Sequence, residues 1–170
     1  AGLDPARDEI VRRMTATMVH RGPDGEGYAF RDGCSLGFRR LAIVDLDAHS
    51  PPFANEDRTI WTVCNGEIYN GSELRTELEA RGHRFETGVD TEVIPHLYEE
   101  DGADLIHRLD GMFAFAVWDE QRQILLPGEI GDSPRHPQNA MVGARRKSKA
   151  AARVFEEAFA IAIRTRPAAN

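Results

Sequence analysis

The sequence predicts an α+β layered domain, and three observations carry that prediction. A segment with helical spacing opens the chain, runs rich in β-formers follow it, and a continuous apolar run at residues 112–118 has the character of a strand buried on both faces. Helices and strands alternate up to Leu126, with strands in the majority. At 170 residues the chain is long enough to bury a substantial core, and one domain is the natural expectation.

The elements follow in order. Asp4-Pro5 reads as an N-cap followed by proline at the first helical position, and Ile10, Val11, Met14 and Met18 give one buried helix face. Gly22-Pro23-Asp24-Gly25 breaks that helix. Residues 28–30 and 34–38 read as strands joined by a turn at Asp32-Gly33, and residues 41–44 as another short strand. Pro51-Pro52 marks a loop before the β-rich run 59–64. Asn70, with Glu73 three residues on, resembles a capping box for a helix that buries Leu74 and Leu78 and stops at Gly82. Residues 84–87 are expected as a strand. Asp90 then caps a helix containing Val93, Ile94, Leu97 and Tyr98, in which Pro95 demands a kink or a late start. The run 112–118 turns at Asp119-Glu120 into a strand at 123–126.

After Leu126 the apolar pattern fails. Residues 127–149 are rich in Gly, Pro, Arg and Lys and read as loop or disorder, and residues 150–163 as an isolated amphipathic helix. Charge breaks at the same place. Residues 1–126 carry 13 Arg and no Lys against 24 Asp+Glu, a net of −11, whereas residues 127–170 are net +4. The sequence is therefore divided into a domain at 1–126 and an unrelated basic tail at 127–170. The formal charge of −7 argues against nucleic acid as a partner. The basic cluster at 145–149 lacks interleaved aromatics and reads as a solvated charge run. No apolar run approaches the length of a membrane span, and two cysteines, Cys34 and Cys64, fit a reducing, cytoplasmic setting.

Three polar constellations could do chemistry. Arg40 at the start of the 41–44 run could clamp a carboxylate through two hydrogen bonds, or could be a surface arginine. Asp90 could hold an ammonium group, or serve only as a cap. Asn65-Gly66 could aim a carboxamide and a backbone N–H at a developing oxyanion, or form a plain hairpin turn. Taken together they describe a pocket for a short zwitterion with an amide tail, which is glutamine.

The blocks His20-Arg21-Gly22-Pro23-Asp24-Gly25-Glu26-Gly27, residues 40–46, residues 65–70, Asp90-Thr91-Glu92-Val93 and residues 109–115 occur in family order over residues 7–126. In them the chain resembles the glutamine-hydrolysing domain of class II glutamine amidotransferases, of the asparagine-synthetase kind. The resemblance implies an N-terminal-nucleophile hydrolase fold, a four-layer αββα sandwich of two antiparallel sheets. It implies that Arg40 and Asp90 hold the charged groups of L-glutamine, that Asn65 and Gly66 form the oxyanion hole, and that Glu67 and the Leu41 backbone position the substrate. No metal or cofactor is implied in this domain; ATP and Mg²⁺ belong to the family's synthetase domain, the partner that uses the ammonia, and full-length members can be homodimers.

The same resemblance implies an N-terminal cysteine nucleophile, which attacks the side-chain amide to give a γ-glutamyl thioester and ammonia. The chain opens instead on Ala1. The sequence is therefore expected to be a fragment that lacks the family's first strand and the synthetase motifs, is marginally stable and is inactive alone. A non-catalytic glutamine-binding or interaction module, or the glutaminase part of another amide-forming synthetase, are the alternatives.

Overall fold

The computed structural model describes residues 3–41, 51–130, 140–142, 152–154 and 160–164. Helix α1 (Pro5–Thr17) begins as its sequence requires. The Asp4 carboxylate accepts the N–H groups of Ala6 and Arg7 at 3.1 and 3.2 Å, and Pro5 sits where no intrahelical donor is needed. Strands β1 (Gly25–Arg31) and β2 (Cys34–Arg40) form a hairpin whose closing pair is Arg31 and Cys34, so the turn is at Asp32-Gly33. α1 packs on this hairpin through Val11 and Met18, which meet Tyr28 and Phe30.

The second sheet is antiparallel, in the order β3 (Phe53–Ala54), β4 (Ile60–Ile68), β5 (Gly111–Asp119), β6 (Ile124–Ile130) and β7 (Ala140–Val142). Between β4 and β5 the chain makes α2 (Gly71–Ala80), a 3₁₀ turn (Asp90–Glu92), α3 (Val93–Asp101) and a second 3₁₀ stretch (Gly102–His107). The twofold alternation of strand side chains sorts this sheet's residues. Ile60, Cys64, Ile68, Phe113, Phe115 and Val117 face the helices and pack with Leu74, Leu78, Ile94 and Leu97. Val63, Ala116 and Trp118 face the other way and pack with Ala29, Cys34, Leu36 and Phe38 of the hairpin. The layers therefore run α1, first sheet, second sheet, α2 with α3, which is the expected αββα sandwich. The apolar run 112–118 is continuous because both faces of β5 are covered from Phe113 to Trp118; Met112, at its start, is exposed.

Several expectations are corrected. Residues 84–87 form no strand: the buried Glu92 carboxylate takes the N–H groups of Glu86 and Thr87 at 2.6 and 2.9 Å and the Thr87 hydroxyl at 2.5 Å, which folds the segment inward. Asn70 precedes α2 without capping it. Its amide donates to the Arg108 carbonyl at 2.8 Å, and its carbonyl accepts the Asp110 N–H at 2.9 Å. Asn65-Gly66 is no turn, because both residues are paired inside β4. Pro95 sits in the first turn of α3, where the conflict disappears through a late helix start after the 3₁₀ turn.

β6 runs on to Ile130 instead of giving way to a loop at 127, with Pro127 opposite Ala116. The helix expected at 150–163 is replaced, in the described residues, by strands β8 (Ala152–Val154) and β9 (Ala160–Arg164). β9 pairs antiparallel with β2, so the hydrogen-bonding edge of β2 outweighs the local helical pattern, and the alternate β-branched Ile161 and Ile163 suit a strand. The expected strand at 41–44 lies outside the described residues beyond Leu41, where no strand is assigned. Among the described residues no helix is long and apolar enough to cross a membrane.

Candidate active site

The C-terminal part of β4 gathers most of the site expected from the sequence. Asn65, Gly66 and Glu67 stand opposite Ala114, Phe113 and Met112 of β5; Asn65 is half-buried, and Gly66 and Glu67 are exposed. Gly66 adopts φ +132°, a conformation that favours glycine, and a Cβ there would lie 2.1 Å from the Met112 carbonyl oxygen and 2.5 Å from the Phe113 Cα. Local backbone shape and the closeness of β5 both demand glycine at this position.

Asp90 reaches the same strand end from the helix layer. Its Oδ2 accepts the Ile68 N–H at 2.5 Å. Gly71, the first residue of α2, lies so close that a Cβ there would be 3.0 Å from the Asp90 Cβ. Asp90 is thus not the cap of α3: it is the first residue of the 3₁₀ turn before it, and neither element has a side-chain cap bond. It ties the start of that turn to the end of β4. Asn70, held between Arg108 and Asp110, fixes the chain just beyond.

Arg40 and Leu41 stand at the end of β2, in the other sheet. Arg40 pairs with Gly25, its carbonyl accepts the Asp24 N–H at 3.0 Å, and Leu41 is exposed. Strand alternation puts Arg40 on the same face as Phe38, and Asn65 on the same face as Val63. Phe38 and Val63 belong to the one cluster that joins the two sheets. Arg40 and Asn65 are therefore both carried on the faces where the sheets meet, whereas Asp90 approaches from the helical side.

Arg39, next to Arg40, is a structural anchor that the sequence reading passed over. It is buried, its Nε donates to the Gly22 carbonyl at 2.8 Å, and its Nη1 meets Glu26 Oε2 at 2.8 Å. A Cβ on Gly22 would sit 2.7 Å from Arg39, so the glycine in His20-Arg21-Gly22-Pro23 lets the loop close over this arginine. Of the adjacent pair Arg39 and Arg40, only alternation could have told which one is the anchor.

The two cysteines are sealed away from this surface. Cys64 directly precedes Asn65 but faces the helix-side core, and Cys34 is buried between the sheets. Burial, with the negative charge of Asp90 adding to it, pushes the Cys64 thiol well above its ordinary pKa. The Cys64 sulfur is therefore not poised as a thiolate. What the strand end offers is a carboxamide, a glycine backbone at an exposed position and a carboxylate.

The profile of the glutamine amidotransferase domain family matches residues 1–136. Among curated proteins, the chain is 43% identical over 119 residues to the asparagine synthetase [glutamine-hydrolyzing] 1 of Bacillus subtilis (strain 168), covering 70% of this chain and 19% of that protein. It is 48% identical over 126 residues to the asparagine synthetase [glutamine-hydrolyzing] of Sandersonia aurantiaca (73% and 24%). With asparagine synthetase [glutamine-hydrolyzing] 3 of Arabidopsis thaliana it shares 49% identity over 131 residues (76% and 22%). The chain spans only a fifth to a quarter of the length of these relatives. Among solved structures, the glutamine phosphoribosylpyrophosphate amidotransferase of B. subtilis, complexed with ADP and GMP, superposes with a TM-score of 0.42 at 19% identity, covering 74% of this chain and 26% of that one.

Proposed function

The chain belongs to the glutamine amidotransferase domain family, and from that premise we propose that it is the glutamine-hydrolysing part of an asparagine-synthetase-type enzyme, releasing ammonia from L-glutamine for amide formation on aspartate. The observation that carries the reading is the strand end at Asn65-Gly66, with Asp90 bonded to it through Ile68. In this reading Asn65 Nδ2 and the Gly66 N–H donate to the oxygen of the glutamine side-chain carbonyl as it gains negative charge. Stabilising that charge in place is commonly the largest single contribution to acyl-transfer catalysis. Arg40 takes the α-carboxylate, Asp90 the α-ammonium, and Glu67 with the Leu41 backbone positions the substrate between them.

The nucleophile for thioester formation is neither Cys64 nor Cys34, since both are buried and Cys64 is held as a thiol. The 170-residue chain by itself accordingly binds glutamine without hydrolysing it. ATP and Mg²⁺ serve a separate synthetase domain, which consumes the ammonia in the cytoplasm.

Calorimetry with L-glutamine tests the pocket. The chain should bind glutamine, and Arg40→Ala should weaken binding by on the order of tenfold or more, since a charged hydrogen bond contributes about 1.5–3 kcal/mol. Binding unaffected by Arg40→Ala would remove the pocket as drawn. Glutamate release by the chain that disappears in Cys64→Ala would overturn the assignment of an inert thiol.

A further inference from the structure

Away from the strand end of β4, three elements bring two imidazoles and a carboxylate together. Glu56 follows β3, His83 follows α2, and His96 lies in α3. One ligand atom from each lies within 4.8 Å of the others. Glu56 Oε1 is 3.2 Å from His83 Nδ1, and Glu56 Oε2 is 3.4 Å from His96 Nδ1. His96 is completely buried, yet neither of its ring nitrogens has a hydrogen-bond partner. A buried polar atom without a partner costs about 1–3 kcal/mol, so two on one ring call for an explanation.

From this geometry we propose that Glu56, His83 and His96 form a binding site for a divalent transition metal of the zinc class. Four-coordinate zinc with bonds of about 2.0–2.1 Å sets neighbouring ligand atoms roughly 3.3 Å apart; here each histidine Nδ1 approaches a different Glu56 oxygen, at 3.2 and 3.4 Å, and one ligand atom per residue already lies within 4.8 Å of the others, so small side-chain rotations close the set on one ion. Two imidazoles and one carboxylate suit zinc, nickel, copper or cobalt, whereas calcium and magnesium favour all-oxygen sets. A metal on Nδ1 would give a partner to one of the two orphaned nitrogens of the buried His96 ring. The exposed side of Glu56 leaves room for water as the fourth ligand.

The surroundings match such a centre. His83 Nε2 meets Glu100 Oε1 at 3.3 Å, and Glu100 is in turn held by Arg81 Nη1 at 2.8 Å. A carboxylate on the far nitrogen of a ligating histidine fixes its tautomer and orientation. Burial, against the pull of Glu56, lowers the pKa of His96 and keeps it neutral, the form that ligates. The Glu56 carboxylate is oriented by the Arg84 N–H, which it accepts at 2.6 Å. The ion would staple the loop after β3, the end of α2 and α3 to one another. This site does not depend on the glutamine reading.

The test is calorimetric titration of the tag-free, metal-stripped chain with Zn²⁺, followed by the visible spectrum of its Co²⁺ form. One Zn²⁺ per chain should bind, Co²⁺ should give the intense bands of a tetrahedral site, and Mg²⁺ should not compete. Glu56→Gln, at an exposed position, and His83→Gln, whose side chain is nearly buried, should each weaken Zn²⁺ by on the order of 100-fold, and Glu100→Gln by about tenfold, as outer-shell partners do. Circular dichroism establishes that the variants are folded. Absence of Zn²⁺ binding, or binding that folded His83→Gln and Glu56→Gln leave unchanged, would overturn the proposal.

Discussion

Replacing Gly66 by alanine tests whether β4 is shaped for the site or only passes it. Two costs add at this position. At φ +132° an L side chain is strained, typically by about 1–3 kcal/mol. The new methyl would also lie 2.1 Å from the Met112 carbonyl oxygen and 2.5 Å from the Phe113 Cα, backbone atoms of a central strand that no rotamer change can move aside. Forcing such a shift in a packed interior costs about 1–3 kcal/mol more. The sum, about 2–6 kcal/mol, is a large part of the roughly 5–15 kcal/mol by which a domain is stable. Gly82→Ala is the internal control: φ there is +105°, but nothing lies within 4 Å of the added Cβ, so only the backbone strain applies. Urea unfolding of the two variants, compared at a common slope, separates the terms. Gly66→Ala should be the less stable by at least about 1 kcal/mol and should lose glutamine binding. Equal destabilisation of the two variants would refute the close approach of β5, and unimpaired glutamine binding would refute the placing of the pocket at this strand end.

Other expectations follow from single groups. Asp4→Ala removes both N–H contacts at the start of α1 and should cost about 1 kcal/mol, lowering Tm in a thermal melt, with glutamine binding unchanged. Because burial lowers the pKa of His96 in the folded chain, the unfolded chain takes up its proton first as pH falls. The stability carried by neutral His96 is therefore complete above the unfolded value of about 6.5 and declines below it, through the folded value. Urea midpoints measured from pH 7.5 to pH 5 should fall in the wild type, and fall less in a folded His96→Leu variant.

Local signals in the sequence were enough for the parts of this fold whose chemistry is local. Asp4-Pro5 had to start a helix, Asp32-Gly33 had to turn, and residues 112–118 had to be covered on both sides. Gly66 stood out beside Asn65, although its placement inside a paired strand, and not at a turn, comes from the register with β5. The segment 84–87 looked like a strand because its residue types permit one. It is not one because a buried carboxylate five and six residues on, Glu92, offers its donors better partners. The same competition redirected Asn70 from capping α2 to bridging Arg108 and Asp110.

Sequence by itself determined the class of the domain and the blocks that place it in its family. Tertiary structure alone decided that Arg39 rather than Arg40 is buried, that Asp90 grips the end of β4, and that Glu56, His83 and His96 share one spot. The reason is physical. Helix and strand periods are set by neighbours a few residues apart, whereas the latter contacts join positions far apart in the chain, brought together only when the sheets and helices close over a common core.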